Sequence, residues 1–266
     1  MPEAGPAFVD SHCHLDYPGL VAEADAVVER ARAAGVTTLL TIATRLTSLP
    51  AVLELARRFK GVWVASGVHP HQAAEEAGSA DPAAFIAHAA DPRVVAIGEC
   101  GLDYFYDKSP RDVQKASFRA QLEAARTTGL PFIVHTRDAD ADTLAILDEA
   151  SATAPVRGVI HCYSTSPEMG HRAVALGLHL GIGGILTFKR SDELRATVRD
   201  LPRDRILLET DSPFLAPLPF RGKRNEPAYI PHVAAVLAEL WGTDADEVAR
   251  VTSDNFFHLF TKAGRP

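Results

Sequence analysis

No stretch of this sequence stays apolar for the roughly 20 residues that a membrane-spanning helix needs, so a helical membrane protein is excluded. Low-complexity tracts are also missing. With 47% hydrophobic and 23% charged residues, the chain has the balance of one that folds around a core, which excludes an intrinsically disordered protein. Cysteine is scarce: three residues cannot pair off completely, which rules out a disulfide framework. Basic residues are outnumbered, 27 Lys plus Arg against 34 Asp plus Glu, and at a formal charge of -7 the chain lacks the footprint of a protein that grips duplex nucleic acid by charge alone. The first residues, Met1 to Pro6, have neither the positive n-region nor the apolar h-region of a signal peptide, so a cytoplasmic location is expected. Nothing points to a membrane association or to an obligate protein partner.

What the sequence does contain is a series of eight short β-rich runs, at 8–13, 37–43, 62–68, 94–99, 131–135, 156–161, 179–186 and 205–209. Their spacing suits a βα unit of about 30 residues. The intervening segments read as helices: 21–34, 48–60, 111–128 and 144–150 carry apolar residues at three-to-four spacing. Several end at a glycine, as at Gly35, Gly61, Gly129 and Gly177, where the chain must turn out of the helix in a left-handed conformation. Alternation of this kind, repeated without a linker or a break in composition over 266 residues, predicts a single-domain (β/α)8 TIM barrel spanning 1–266, a fold that takes about 250 residues. After the last run, 213–231 holds five prolines and reads as a loop over the barrel mouth, with closing helices at 232–241 and 245–260.

The polar residues favour the barrel over an open doubly wound sheet. His12, His14, Glu99, His135, His161 and Asp211 all fall at or just past the C-terminal end of a predicted strand, and that rim is where such barrels place their chemistry. His12 and His14 form an H-x-H pair, and side chains two apart on a strand face the same way, so a single ion can take both imidazoles. A lone histidine at a strand end is more often an ordinary polar residue than a ligand. Five strand ends carrying ligand chemistry together are a different matter. The charges nearest in sequence to Glu99 and Asp211 are Asp103 and Glu209, of the same sign, so neighbouring ion pairs do not account for them; buried carboxylates in such company need a cation.

Imidazole and carboxylate ligands without thiolates suit magnesium, manganese, zinc, iron or cobalt. Six ligands exceed one tetrahedral site, which predicts two divalent metal ions bridged by Glu99, with a water between them whose pKa falls from 15.7 toward about 7. Asp211 then accepts that water's proton. Two such ions would place positive charge locally in an otherwise acidic protein, so the net charge does not decide against a phosphate substrate. His69, in Gly67-Val68-His69-Pro70-His71, is placed to donate to a substrate oxygen. Cys13, Cys100 and Cys162 each adjoin a proposed ligand and are expected to turn their thiols outward and serve only packing.

With Asp10-Ser11-His12-Cys13-His14-Leu15-Asp16, Gly67-Val68-His69-Pro70, Ile97-Gly98-Glu99-Cys100-Gly101-Leu102-Asp103-Tyr104, Ile133-Val134-His135, His161-Cys162-Tyr163-Ser164 and Leu208-Glu209-Thr210-Asp211-Ser212-Pro213 in order along it, the chain resembles the TatD family of metal-dependent deoxyribonucleases over nearly its whole length. The resemblance implies a TIM-barrel hydrolase with those six residues as ligands, dependent on magnesium or manganese and acting on phosphodiester bonds of DNA, often from the 3' end. It also implies a link to DNA repair and fragmentation. Single-stranded DNA or DNA ends are the expected substrate, with RNA a further candidate. Tyr104, Phe105 and Tyr106 offer faces for stacking a base, while Arg137, Lys189 and Arg221 are placed to hold flanking phosphates. The segment Asn225-Glu226-Pro227 also resembles the family without an evident physical role. The same site would serve an aminoacyl ester on transfer RNA or another ester or amide, and a metal-stabilised barrel used only as a binding scaffold is the non-catalytic alternative.

Overall fold

Eight segments rich in Val, Ile and Leu form one parallel sheet in which each strand neighbours the next in sequence: β1 (Phe8–Cys13), β2 (Val36–Ala43), β3 (Val62–Ser66), β4 (Val94–Asp103), β5 (Phe132–Arg137), β6 (Gly158–Ile160), β7 (His179–Ile182) and β8 (Ile206–Leu208). The coordinates are a computed structural model that describes residues 7–265; Met1 to Pro6, read above for a signal sequence, and Pro266 lie outside the described residues. Strands buried on both faces need apolar residues throughout, not in alternation, and all ten residues of β4 are buried. Bonds from Asp211 N–H to the His12 carbonyl (2.9 Å) and from His14 N–H to the Ser212 carbonyl (2.8 Å) join β1 to the segment leaving β8. The sheet thus becomes a (β/α)8 TIM barrel, and these bonds lie at the ends that carry the proposed ligands.

The crossovers are α1 (Ala24–Ala33), α2 (Leu49–Arg57), α3 (Pro82–Ala89), α4 (Arg111–Thr128), α5 (Asp140–Ser151), α6 (Pro167–Ala175) and α7 (Asp192–Asp200), followed by α8 (Ile230–Trp241) and α9 (Ala245–Leu259). Side chains such as Val27, Phe85, Phe118 and Leu147 from these helices meet outward residues of the strands in the larger core layer. A second layer fills the barrel itself. Val9, Leu40, Ile42, Ile133, Val159 and Leu207 point inward and are covered by Phe256, Leu259 and Phe260 at the end of α9. Phe256, Leu259 and Phe260 plug one end of the barrel, and a cavity opens at the opposite, C-terminal rim.

Four strands end earlier than their sequences suggest, β3 at Ser66 and β8 at Leu208 among them. β6 stops at Ile160, and β7 gives way after Ile182 to a 3-10 turn at Gly184–Thr187. Gly184 lies directly against the carbonyl of Leu215, where a Cβ would overlap it, so the chain leaves the sheet there to support the loop after β8. In that loop Thr187 Oγ1 accepts the Leu218 N–H at 2.9 Å.

Candidate active site

β1 and β4 do not deliver their ligands by simple alternation. Val9 belongs to the inner layer and His12 reaches the mouth, positions that a regular strand would put on opposite faces; the register is irregular between Asp10 and Cys13, which re-aims His12. β4 carries a matching irregularity between Ile97 and Cys100, beside Glu99. Asp10 ties the first and last strands together beneath the site. Its carboxylate accepts the backbone N–H (2.9 Å) and hydroxyl (2.6 Å) of Thr210 and the N–H of His12 (3.2 Å). Burial pushes the Asp10 carboxyl up to about 8, against the lowering effect of the Thr210 bonds.

The six predicted ligands converge. Glu99 Oε1 is 2.7 Å from His161 Nε2 and 3.2 Å from His135 Nδ1, while Oε2 is 3.4 Å from His12 Nε2. Asp211 Oδ1 lies 3.4 Å from His14 Nε2 and 3.8 Å from His12 Nε2. Burial works against the charge on Glu99, yet the imidazoles of His161, His69 and His12 hold its carboxyl well below the usual range. Asp211 is likewise lowered despite burial, by the His14 contact and the nearby His161 and His12. Its φ of 54° is left-handed, a conformation that aspartate tolerates better than most residues and that recurs at functional sites.

Two residues beyond the six join the cluster. His69 Nε2 is 3.5 Å from Glu99 Oε1. Its Nδ1 accepts the His71 N–H at 3.0 Å, which leaves the ring proton on the nitrogen that faces the centre. Burial and neighbouring imidazoles hold His69 far below the usual histidine range, so it is neutral. Glu209, set aside in the sequence as a like-signed neighbour, is fully buried and lies 3.5 Å from His161 Nδ1. One of its oxygens accepts the Cys162 N–H at 2.6 Å and the other has no partner. Gly181 makes room for it, since a Cβ there would overlap Glu209 Oε2. A glycine in the middle of an apolar strand was the available sequence signal.

Around this cluster Asp103 accepts from two rings, His71 Nε2 at 2.9 Å and His135 Nε2 at 3.1 Å, and so turns His135 Nδ1 toward Glu99. Residue triplets His12–His14–Glu99, His69–Glu99–His135 and His12–His161–Glu209 each bring ligand atoms within 4.8 Å of one another. Both nitrogens of His12, Nδ1 of His161 and Oε2 of Glu209 are buried without hydrogen-bond partners. Unsatisfied donors and acceptors of this kind are costly unless something else binds them, and imidazole with carboxylate is the set that divalent cations take, so the residues fit a metal group.

The mouth is a cavity of about 1110 Å³ whose lining includes His14, His69, Glu99, His135, His161 and Asp211. Arg137 lines it, whereas Lys189, Arg221 and Tyr104 are not among the lining residues. Tyr104 donates its hydroxyl to Asp142 at 2.6 Å with Arg111 stacked on its ring, which leaves Tyr106 as the one of the three aromatics Tyr104, Phe105 and Tyr106 that borders the cavity. Arg221 covers Phe188, next to Lys189, on the far flank of the loop after β7. Of the cysteines, Cys13 and Cys100 turn outward as expected, toward the carbonyls of Leu40 and Ile133. Cys162 does not: it sits past the end of β6 at φ 48°, where strand alternation no longer applies, and it lines the cavity.

A barrel mouth built from imidazoles and carboxylates around a water-accessible cavity defines a metal-dependent hydrolase. Residues 9–261 match the family described as TatD related DNase. The chain belongs to that family, whose members are metal-dependent hydrolases acting on ester bonds. It is 39% identical over 252 residues to the uncharacterized metal-dependent hydrolase YabD of Bacillus subtilis, covering 94% of this chain and 98% of that one. It is also 39% identical over 248 residues to the 3'-5' ssDNA/RNA exonuclease TatD of Cronobacter sakazakii, covering 91% and 93%. The crystal structure of YJJV, a TatD homolog from Escherichia coli, superposes with a TM-score of 0.89 at 33% identity, over 96% of this chain and 98% of that one.

Proposed function

We propose that the protein hydrolyses phosphodiester bonds of single-stranded DNA from the 3' end, using two divalent cations (magnesium, manganese or zinc) held by His12, His14, Glu99, His135, His161 and Asp211. The observation that carries this reading is the division of Glu99: one oxygen faces His12 of β1, and the other faces His135 and His161 of β5 and β6. A carboxylate with two separate imidazole sets on its two oxygens would offer a ligand atom to each set. Cations held there supply charge that polarises a phosphoryl oxygen and makes an attacking water more acidic.

The chain's own groups do the rest. Asp211, which lines the cavity and is kept anionic by the imidazoles around it, accepts the proton of the attacking water. His69 presents its neutral Nε2–H to a non-bridging phosphoryl oxygen, and the Arg137 guanidinium, also at the mouth, holds a neighbouring phosphate. The printed activity of the Cronobacter relative, a 3'-5' ssDNA/RNA exonuclease, supports the choice of a nucleic-acid strand and of direction.

The test is incubation of metal-free protein with end-labelled single-stranded DNA and each of magnesium, manganese and zinc, beside Glu99→Ala and Asp211→Asn. A ladder shortening from the 3' end, absent in both variants, is expected, with Asp211→Asn still retaining metal. Absence of cleavage at measured two-ion occupancy would sink the nuclease reading and turn attention to charged transfer RNA. Saturation at one ion per chain would sink the binuclear centre.

A further inference from the structure

Among the described residues, the large hydrophobic side chains that remain exposed are Tyr17, Val21, Phe105, Tyr106, Phe214 and Leu215. Exposed apolar residues normally scatter over a protein. Here all six lie on segments leaving the C-terminal ends of β1, β4 and β8. Because the strands run in order around the barrel, β8 and β1 are neighbours and β4 lies on the opposite side. The exposed apolar surface is therefore two patches facing each other across the buried polar cluster.

Their chemistry differs. On the β4 side Phe105 and Tyr106 meet edge to face at 4.9 Å, the Arg137 guanidinium lies 4.0 Å and 4.9 Å from their centroids, and Lys108 sits 5.5 Å from Tyr106. On the β1 and β8 side Tyr17 and Phe214 meet edge to face at 5.1 Å, and Phe214 is 6.1 Å from the ring of His14. Both patches are fixed to the site. Tyr106 N–H donates to Asp103, which orients His135. The fully buried Asn225 donates to the carbonyls of Thr210 and Phe214, bracketing Asp211. Glu226 then clamps the loop to α1 through a paired contact with Arg30. This is the physical role of the Asn225-Glu226-Pro227 segment.

We propose that the Tyr17–Phe214 face is a second base-stacking platform, which works with the cationic Phe105–Tyr106–Arg137 face to hold the bases on either side of the phosphodiester at the centre. The inference rests on the hydrolytic reading above and narrows its substrate to an unstacked strand with a base on each side of the bond. Stacking suits such a strand because every base has a π-face. The cationic platform takes a base together with its phosphate, and the uncharged one takes a base alone. A second copy of the chain would call for one continuous apolar face, whereas these patches are divided by a polar cavity.

The test couples protein and substrate changes. In the unaltered protein, an abasic site replacing the base that stacks on Phe214 should lower kcat/KM for a short oligothymidylate by about 5- to 150-fold, the range for loss of one base stack. In Phe214→Ala the same abasic substitution should cost nothing further, and Tyr17→Ala should behave alike. If the abasic cost is undiminished in both variants at every position along the strand, the platform is wrong. A 2-aminopurine placed at that position is read without turnover: quenching on binding, lost in Phe214→Ala, supports the stack, and an unquenched probe at every position overturns it. Light scattering that shows a dimer dissolved by Phe214→Ala would assign the face to self-association and also overturn the proposal. Failure of the unaltered protein to cut either oligothymidylate or methyl p-nitrophenyl phosphate would instead fall on the hydrolytic reading, with the fluorescence result still deciding the platform.

Discussion

Asparagine in place of Asp103 keeps the shape of that side chain and removes one of its two acceptors. In the native site Oδ2 accepts from His71 and His135, and Oδ1 accepts the Tyr106 N–H at 2.8 Å. Burial opposes the charge, but the two imidazole bonds hold the Asp103 carboxyl far below the ordinary range, which favours the anion. The asparagine oxygen stays with Tyr106 N–H, because its amide cannot accept that bond. Its NH2 group then faces His135 Nε2, which must become an acceptor, and the ring proton moves to Nδ1. That nitrogen is the one 3.2 Å from Glu99, so the change protonates the atom a cation needs. Loss of such a partner behind a ligating histidine typically weakens metal binding by about 10- to 100-fold, or ~1.4–2.7 kcal/mol. Calorimetric titration of metal-free Asp103→Asn with manganese and with zinc should show this loss at one of two sites. The kcat at saturating metal should recover far more than the activity at limiting metal. Unchanged affinity at both sites would refute the argument that Asp103 sets the His135 tautomer.

The acid limb of stability should carry a signature of His179, which is buried in β7 and whose pKa is pushed down to about 4, first by burial and then by Arg205. A depressed folded pKa leaves stability intact above the unfolded value of about 6.5 and erodes it as pH falls toward 4, by ~3 kcal/mol in all. Denaturant midpoints of chelated protein at pH 7, 5.5 and 4.5 should therefore fall less steeply for His179→Gln than for the parent, and parallel slopes would count against this. Gly181→Ala should fold but displace Glu209, whose Oε2 occupies the space of the new Cβ. An overpacking cost of about 1–3 kcal/mol is expected, with a larger loss of metal retention, measured by dialysis and elemental analysis. Full retention of metal would exclude Glu209 from the centre.

Much of the architecture was legible in the sequence because it is written locally. The apolar runs of the strands, the period of helices such as α4, and the glycines that end them at φ values of 70–91°, as at Gly129 and Gly177, are properties of short windows. The six candidate ligands were legible for the same reason, since each stands at or just past the end of a short apolar run in the sequence, with His12 and His14 sharing the first. The early end of β7 was not, because it depends on what the backbone approaches: Gly184 lies against the Leu215 carbonyl. Which of the three consecutive aromatics Tyr104, Phe105 and Tyr106 borders the mouth was not legible either, for that depends on the partner waiting for each, Asp142 for the Tyr104 hydroxyl and Asp103 for the Tyr106 N–H.

The barrel repeat and the supply of candidate nitrogen and oxygen ligands at one rim are written in the chain, since side-chain chemistry and apolar period are properties of its residues. Where those side chains point is set by contacts between distant strands. Register irregularities in β1 and β4 bear on His12 and Glu99, and a carboxylate from Asp10 meets Thr210 across 200 positions. A glycine in one strand opens the space that Glu209 fills from the next. Direction depends on bulges and on barrel closure, and both arise only when strands distant in sequence pair.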